Sequence, residues 1–396
     1  MKDYLGLKKQ GTEVAETDPK IITLAIGTRP EAIKMAPVYR ALKKTPGLEP
    51  KILLTGQHRQ QLDQALELFD VAADINLDVM EDRQTLPELA ARIMPGVARA
   101  LRDMKTDYVL VHGDTLTTFA VAWTAFLEGI SVGHVEAGLR SHDLYNPFPE
   151  EANRKLTDVI TDMAFAPTPL ARENLIKEGK APERIMVTGQ TGIDAIRYAS
   201  GKSELPGDLH AIKGEVVTVT LHRRENWPLL RELAEKLKEL AEENTEKTFI
   251  FPVHLNPVVR EAVMPILEKV RNFCLLEPLG YGQMAALLAR STLIITDSGG
   301  LQEEGAALNV PVAVVRNVTE RPEGLNSGIL ELVGTDPQEA YLRLSNLLAD
   351  KEKLHRMSKA QNPYGDGLAS ERIAQAMAWR FKLAEKPIEW RLETHV

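Results

Sequence analysis

The chain is short of cysteine: Cys274 is the only one in 396 residues. That excludes an intrachain disulfide framework and a zinc site built on cysteines, and it suits a reducing compartment. No apolar run approaches the roughly 18 residues needed to span a bilayer. Met1 to Lys20 is polar with no apolar h-region, so it reads as a tail and not as a secretory signal. Basic charge is not in surplus either. The formal net charge of -8 gives no general attraction for nucleic acid or an anionic membrane, so any anion site must be local. The expectation is a cytoplasmic protein with neither of those partners.

Familiar nucleotide and metal fingerprints are also missing. No Gly-x-Gly-x-x-Gly follows an apolar run, which argues against a classical NAD site. Gly201-Lys202-Ser203 resembles the end of a P-loop, but Ile196 stands where that motif needs its first glycine, and no strand precedes it. No His-x-x-x-His pair suggests a metal.

What is present is a long alternation of short apolar runs and helical patterns. Hydrophobic residues make up 44% and charged residues 26%, as in soluble globular proteins, and the length calls for two domains. Strands are expected at 21–26, 51–55, 108–111, 130–135, 163–166 and 185–188, with helices between them. After a turn-rich stretch the alternation restarts, with strands at 216–221, 249–253, 273–276, 293–296 and 312–315. This pattern predicts α/β architecture with doubly wound, Rossmann-like parallel sheets. The expected limits are a tail over 1–20, a first domain over 21–200, a linker over 201–214, a second domain over 215–367 and a last helix within 368–396.

In open parallel sheets, chemistry collects beyond the carboxyl ends of strands. The run Val109–Val111 ends on His112-Gly113-Asp114, and Val132–Val135 ends on Glu136. A Pro-bracketed turn then opens a helix on Glu150. Asp114, Glu136 and Glu150 suit a general acid/base set, provided that their surroundings hold one protonated and another ionised. The plainer reading of Asp114 is an N-cap, and of Glu150 a first-turn acid favoured by the helix dipole. Glu136, in a glycine-bracketed turn, has no obvious structural task. His222 ends the first strand of the second half and faces the same cleft if the domains oppose. A lone histidine is more often structural.

Thr296-Asp297-Ser298-Gly299-Gly300 follows a strand and opens a helix, a setting where backbone N–H groups and the helix dipole favour phosphate. A simple capped turn is the alternative. Glu303 and Glu304 follow the first turn, so one of them can reach ribose hydroxyls. Arg29, Lys34 and Arg321 are cations at loop positions of separate segments, as a diphosphate requires, although each alone reads as a surface charge.

Taken together the motifs resemble the non-hydrolysing UDP-N-acetylglucosamine 2-epimerases. The stretches that carry the resemblance are Gly27-Thr28-Arg29-Pro30-Glu31 with Lys34, Gln57-His58-Arg59, His112-Gly113-Asp114, His134-Val135-Glu136-Ala137-Gly138 and Pro149-Glu150-Glu151-Ala152-Asn153-Arg154. His222-Arg223-Arg224-Glu225, Pro252 to Pro257, Asp297 to Glu304, Thr319 to Glu323 and Asn362 to Gly367 complete the series in order. The resemblance implies two domains in a GT-B-like fold, with the C-terminal helix crossing back onto the first. It implies reversible conversion of UDP-GlcNAc to UDP-ManNAc with no cofactor, neither metal nor nicotinamide, and a homodimer. Family phosphate and ribose ligands fall on Arg29, Lys34, Ser298, Gly299, Gly300, Glu304 and Arg321. Its catalytic acids fall on Asp114, Glu136 and Glu150, with His222 beside the leaving diphosphate. The uracil segment matches loosely, at Leu279 and Met284. A second UDP-GlcNAc, bound as activator, is implied at Gln57, His58, Gln60, Arg83, Gln84, Arg223, Glu225 and His254.

The sugar C2–H is not next to a carbonyl, so simple deprotonation is too hard. A hydride route through C3 needs the NAD site that is missing. The remaining route expels UDP as a base removes the C2 proton, giving 2-acetamidoglucal, and adds UDP back after C2 is reprotonated from the other face. Three rivals share parts of this reading: a GT-B glycosyltransferase using a UDP-sugar, a hydrolysing epimerase that releases ManNAc, and a catalytically silent UDP-sugar sensor.

Overall fold

A computed structural model describes residues 18–56, 59–81 and 84–392. Two parallel sheets lie in series along the chain. The first has seven strands: β1 (Lys20–Ile26), β2 (Leu48–Leu54), β3 (Ile75–Asn76), β4 (Tyr108–His112), β5 (Ser131–Val135), β6 (Met163–Ala166) and β7 (Ile185–Val187). Their order is β3-β2-β1-β4-β5-β6-β7. The second has six: β8 (Val216–Thr220), β9 (Thr248–Pro252), β10 (Phe273–Leu276), β11 (Leu293–Thr296), β12 (Val312–Val314) and β13 (Leu330–Leu332), in the order β10-β9-β8-β11-β12-β13.

The strands are near-continuous apolar runs because helices cover both faces of each sheet. In β1, Ile22, Leu24 and Ile26 join one core cluster while Ala25 joins another on the opposite face. In β4, Tyr108 and Leu110 divide from Val109 and Val111 in the same way. The helices are amphipathic. Leu230–Glu243 buries Leu230, Leu233, Ala234, Leu237, Leu240 and Ala241, spaced for one helical face. Each such leucine contributes roughly 1.5–3 kcal/mol on leaving water.

The helix Ala369–Arg380 returns to the first lobe. Its Ile373, Ala374, Ala376, Met377 and Ala378 belong to the same buried cluster as β1, β2 and the helix Arg29–Lys43. Just before the helix Ala369–Arg380, the Tyr364 carbonyl accepts the Gln190 N–H over 3.0 Å. Among the described residues, no helix is long and apolar enough to cross a membrane.

The α/β expectation holds, and each strand read from the sequence is present, 163–166, 273–276 and 293–296 with the expected ends and the others with an end shifted. β2, for example, begins at Leu48 and not at Lys51. Two strands were missed, β3 and β13, the short outer strands of their sheets. Strand order reverses between β1 and β4 in one sheet and between β8 and β11 in the other. These reversals leave crevices at the carboxyl ends, the usual ligand positions of such folds.

Candidate active site

Each crevice is stitched by one buried acid. In the first lobe it is Glu31, only 2% exposed. Thr28-Arg29-Pro30-Glu31 is a capping-box pattern, and one Glu31 oxygen accepts the Gly27 and Thr28 N–H groups at 2.8 and 2.6 Å. The other oxygen accepts the Thr115 and Thr118 hydroxyls at 2.7 and 3.2 Å, tying the tip of β1 to the helix after β4. Gly27 permits this approach, since a Cβ there would lie 2.2 Å from Thr117 Oγ1. In the second lobe the stitch is Asp297, fully buried at the end of β11. It accepts N–H groups from His222 at 3.0 Å and Arg223 at 2.9 Å, and the Asn226 side-chain amide at 3.0 Å.

On this frame Lys34 reaches from the helix Arg29–Lys43 to Glu136, with Nζ 2.5 Å from Oε2. Glu136 sits just past β5 with φ of 67°, a conformation that side chains avoid without compensation. Burial pushes its carboxyl up, but Lys34 and then His112 outweigh that, and Glu136 is held far below the usual carboxylate range. Burial likewise opposes the Lys34 charge, and Glu136 with Glu303 overcomes it, so Lys34 is held above its ordinary value. Glu303 lies on the helix Gly299–Ala307 of the second lobe, so the two rims face each other within electrostatic reach.

Asp114 is not an N-cap. The helix Leu116–Leu127 is capped by Thr115, whose hydroxyl accepts the Thr118 N–H. The Asp114 carboxylate instead meets Arg154 Nε at 3.0 Å, and Arg154 also bonds the buried Glu151 at 2.7 Å. Glu150, at the first turn of the helix Glu150–Ile160, is half-buried, and no partner is recorded for its carboxylate among the described residues. The three acids therefore sit in different settings: one held by a lysine, one by an arginine, one free. His134 is structural, fully buried between Asp158 at 2.7 Å and the Gly113 carbonyl at 2.7 Å.

In the second lobe His222 stacks on His254, with ring centroids 5.5 Å apart. Burial lowers its basicity, Asp297 works against that, and His254 and Arg223 add to it, so His222 is held below the usual histidine range. Ser298 is the N-cap of Gly299–Ala307 but makes no side-chain cap bond, and Gly300 is exposed. Arg321 Nε donates to Glu303, the acid that sequence reasoning left as an alternative to Glu304 for the ribose. Arg29 is exposed at the start of its helix, and it and Lys34 lower the proton affinity of Glu304. Leu279 and Met284 are half-buried and pack on the Leu209, Val216, Ile250 and Leu287 cluster, so part of each belongs to the core.

Of the residues read as an activator site, Gln57, His58 and Arg83 lie outside the described residues, as does the Gln60 side chain. Gln84 donates to the Met80 sulfur. Arg223 is half-buried, and Glu225 and His254 are exposed near the His222 tip. Sequence reasoning missed Glu31 as a stitch, although its capping-box spacing was visible. It quoted Arg154 without its pairing to Asp114, and it missed the Glu303–Arg321 pair, which no local pattern announces.

Glu304 yields a testable consequence. Burial, reinforced by Glu303 and opposed by Lys34 and Arg29, pushes its carboxyl from 4.5 up to about 8. Its folded state binds the proton more tightly than the unfolded chain does. The associated stability is therefore full below the unfolded value and is lost as pH rises through about 8. Glu304→Gln is expected to match the wild type at pH 4 and to exceed it by about 4 kcal/mol at pH 9. Urea unfolding across that range is the check, and a difference independent of pH would contradict it.

The comparisons agree with this geometry. The family model for UDP-N-acetylglucosamine 2-epimerase matches residues 40–378. The UDP-N-acetylglucosamine 2-epimerase of Escherichia coli K12 is 45% identical over 369 residues, covering 90% of this chain and 98% of that protein. A crystal structure of UDP-N-acetylglucosamine 2-epimerase superposes with a TM-score of 0.88 at 42% identity, covering 95% of this chain and all of the other. The Neisseria meningitidis UDP-GlcNAc 2-epimerase, solved with UDP-GlcNAc bound, gives 0.78 at 40% identity over 91% of this chain and 100% of its own. Two parallel sheets in a GT-B-like arrangement thus have close counterparts, and this chain belongs to the UDP-N-acetylglucosamine 2-epimerase family.

Proposed function

We propose that this enzyme interconverts UDP-GlcNAc and UDP-ManNAc by eliminating UDP and adding it back, without releasing free sugar. The observation that carries the reading is Glu136, an ionised carboxylate on Lys34 that faces Arg321 across the cleft. A base next to diphosphate-binding cations is what the elimination needs. The base takes the C2 proton, the C2–H electrons form the C1=C2 bond, and the C1–O bond breaks with its electron pair leaving on UDP. Arg29, Arg321 and His222, with the start of the helix Gly299–Ala307, meet the charge that develops on the diphosphate. In the return step an acid protonates C2 from the opposite face and the UDP oxygen closes on C1. Asp114, Glu136 and Glu150 are assigned to these transfers as a set. Lys34, Ser298, Gly299, Gly300 and Glu304 hold phosphate and ribose, and Leu279 and Met284 border the base.

A second UDP-GlcNAc as activator belongs to the same reading, at Arg223, Glu225, His254 and Gln84 with the residues outside the described set. So do a cytoplasmic location and the limits 21–200 and 215–367 for the two domains. One experiment tests the chemistry and the activation: proton NMR in D2O, started from either sugar nucleotide alone. UDP-GlcNAc is expected to give UDP-ManNAc deuterated at C2, with no free sugar. UDP-ManNAc alone is expected to react slowly until a trace of UDP-GlcNAc is added. Free ManNAc would mean hydrolysis, and retained C2 hydrogen would mean a hydride route.

A homodimer also belongs to this reading. Trp123, Phe126 and Leu127 on one helix, and Leu156 and Val159 on its neighbour Glu150–Ile160, leave large apolar side chains exposed, with Val159 at 81%. Trp123 stacks on Phe126. Monomers rarely leave such a patch uncovered. Light scattering is expected to give twice the chain mass, and Phe126→Glu with Val159→Glu is expected to give a folded monomer. A wild-type monomer at micromolar concentration would remove the dimer.

A further inference from the structure

His112 ends β4 and is 3% exposed. Among the described residues neither of its buried ring nitrogens makes a well-aligned hydrogen bond, and the Glu136 carboxylate is the group Nε2 acts on electrostatically. Leaving two polar atoms of a buried side chain without partners costs stability, so a histidine kept in this state calls for a reason beyond packing. The arrangement around it supplies one. His112 Nε2 lies 3.4 Å from Glu136 Oε2, close but poorly aligned, and that same oxygen is held by Lys34 at 2.5 Å. Lys34 occupies the better position, and His112 waits beside it.

We propose that His112 is a positioning residue that takes over the Glu136 carboxylate when a nucleotide diphosphate draws Lys34 away. This rests on the epimerase reading, in which Lys34 binds phosphate and Glu136 moves a proton. One lysine cannot serve both anions at full strength. Once its ammonium turns to the diphosphate, Glu136 would lose its main fixed donor just as it is required to face C2 in a defined orientation. A small rotation of either side chain turns the 3.4 Å contact into an Nε2–H···Oε2 hydrogen bond. The position is suited to this task because strand and helix fix the His112 backbone: its carbonyl accepts the Thr118 hydroxyl at 2.5 Å, and it pairs with Val135 of β5, next to Glu136.

The charged and titratable groups that face Glu136 are Lys34 from the helix Arg29–Lys43, His112 from β4 and, across the cleft, Arg321. With Lys34 and Arg321 both turned to the diphosphate, His112 is what remains to favour the ionised carboxylate. Removing its donor raises the pH at which Glu136 gives up its proton in the substrate complex, so the acid limb of the kcat profile moves to higher pH.

The test compares wild type, His112→Leu and His112→Gln, whose amide nitrogen reaches about as far as Nε2. In kcat and KM against pH with UDP-GlcNAc, His112→Leu is expected to shift the acid limb up by about one unit and to lower kcat at pH 7 about tenfold. KM is expected to stay within about threefold, since no substrate contact is lost. His112→Gln is expected to recover most of the loss. A folded Leu variant with the wild-type limb and kcat overturns the proposal, as does a Gln variant no better than Leu. If the Leu variant fails to fold, nitrogen NMR of histidine-labelled wild type decides, with the His112 signals identified from the Gln variant. On addition of UDP alone, Nε2 is expected to take on the signature of a hydrogen-bonded N–H. An unchanged Nε2 resonance in the UDP complex overturns the idea. A wild type that binds UDP but does not epimerise removes the epimerase reading, while the UDP titration still decides the part played by His112.

Discussion

Glu136→Gln is expected to lower kcat at least a thousandfold while UDP affinity holds or rises a few-fold. General acid/base groups contribute about 10²–10⁴ to rate, and a thousandfold loss is about 4 kcal/mol of barrier. The amide cannot take a proton at neutral pH, so in the proposed mechanism C2–H cleavage loses its acceptor. Binding moves the other way for a separate reason. In the wild type Lys34 is paired with Glu136, and a diphosphate has to compete with that carboxylate for it. Removing the charge frees the ammonium. Steady-state rates, C2 deuterium exchange and calorimetric titration with UDP separate the two effects. A sensor with no chemistry would show neither loss, and a fall in affinity equal to the fall in rate would mean that Glu136 serves binding alone.

Asp297→Ala is expected to cost about 3–5 kcal/mol of stability and most of the nucleotide affinity. The carboxylate is fully buried and accepts two backbone N–H groups, of His222 and Arg223, and the Asn226 amide. Alanine leaves all three donors without an acceptor, each at about 1–3 kcal/mol, partly recovered by relaxation and water. The β8 tip that carries His222 is then no longer tied to β11. Asp297→Asn keeps one acceptor oxygen and should fall between. Urea midpoints and UDP titration are the measurements. A loss under about 1 kcal/mol for Ala would show that the tip is held by other contacts.

The architecture was largely legible because it is written locally. Runs such as Val109–Val111 and Leu293–Thr296 are strands from their β-branched content and their glycine and polar ends, whatever the rest of the chain does. β3, with its two residues Ile75 and Asn76, was not legible, since its pairing is made by β2 and not by its own pattern. The polar frame of the site was hidden for a related reason. Glu31 reads as a first-turn acid, yet two of its five bonds come from Thr115 and Thr118, which come near only because β4 pairs with β1. Asp297 reads as a helix cap but serves the tip of β8. A carboxylate's partners follow from strand order, and strand order is a property of the whole chain.

The return of the helix Ala369–Arg380 to the first lobe has a consequence for biosynthesis. The residues that build the second sheet and the core of its outer helices, Val216 to Met357, are contiguous, so that core can close as soon as they have been made. The first lobe cannot. When Lys202 has been made, its seven strands are all present, yet the core beside β1 still lacks Ile373, Ala374, Met377 and their neighbours. At about 5–20 residues per second, the ribosome takes roughly 10–35 s to supply them. Through that interval the growing chain shows apolar surface along the helix Arg29–Lys43, and the half translated first is the half completed last.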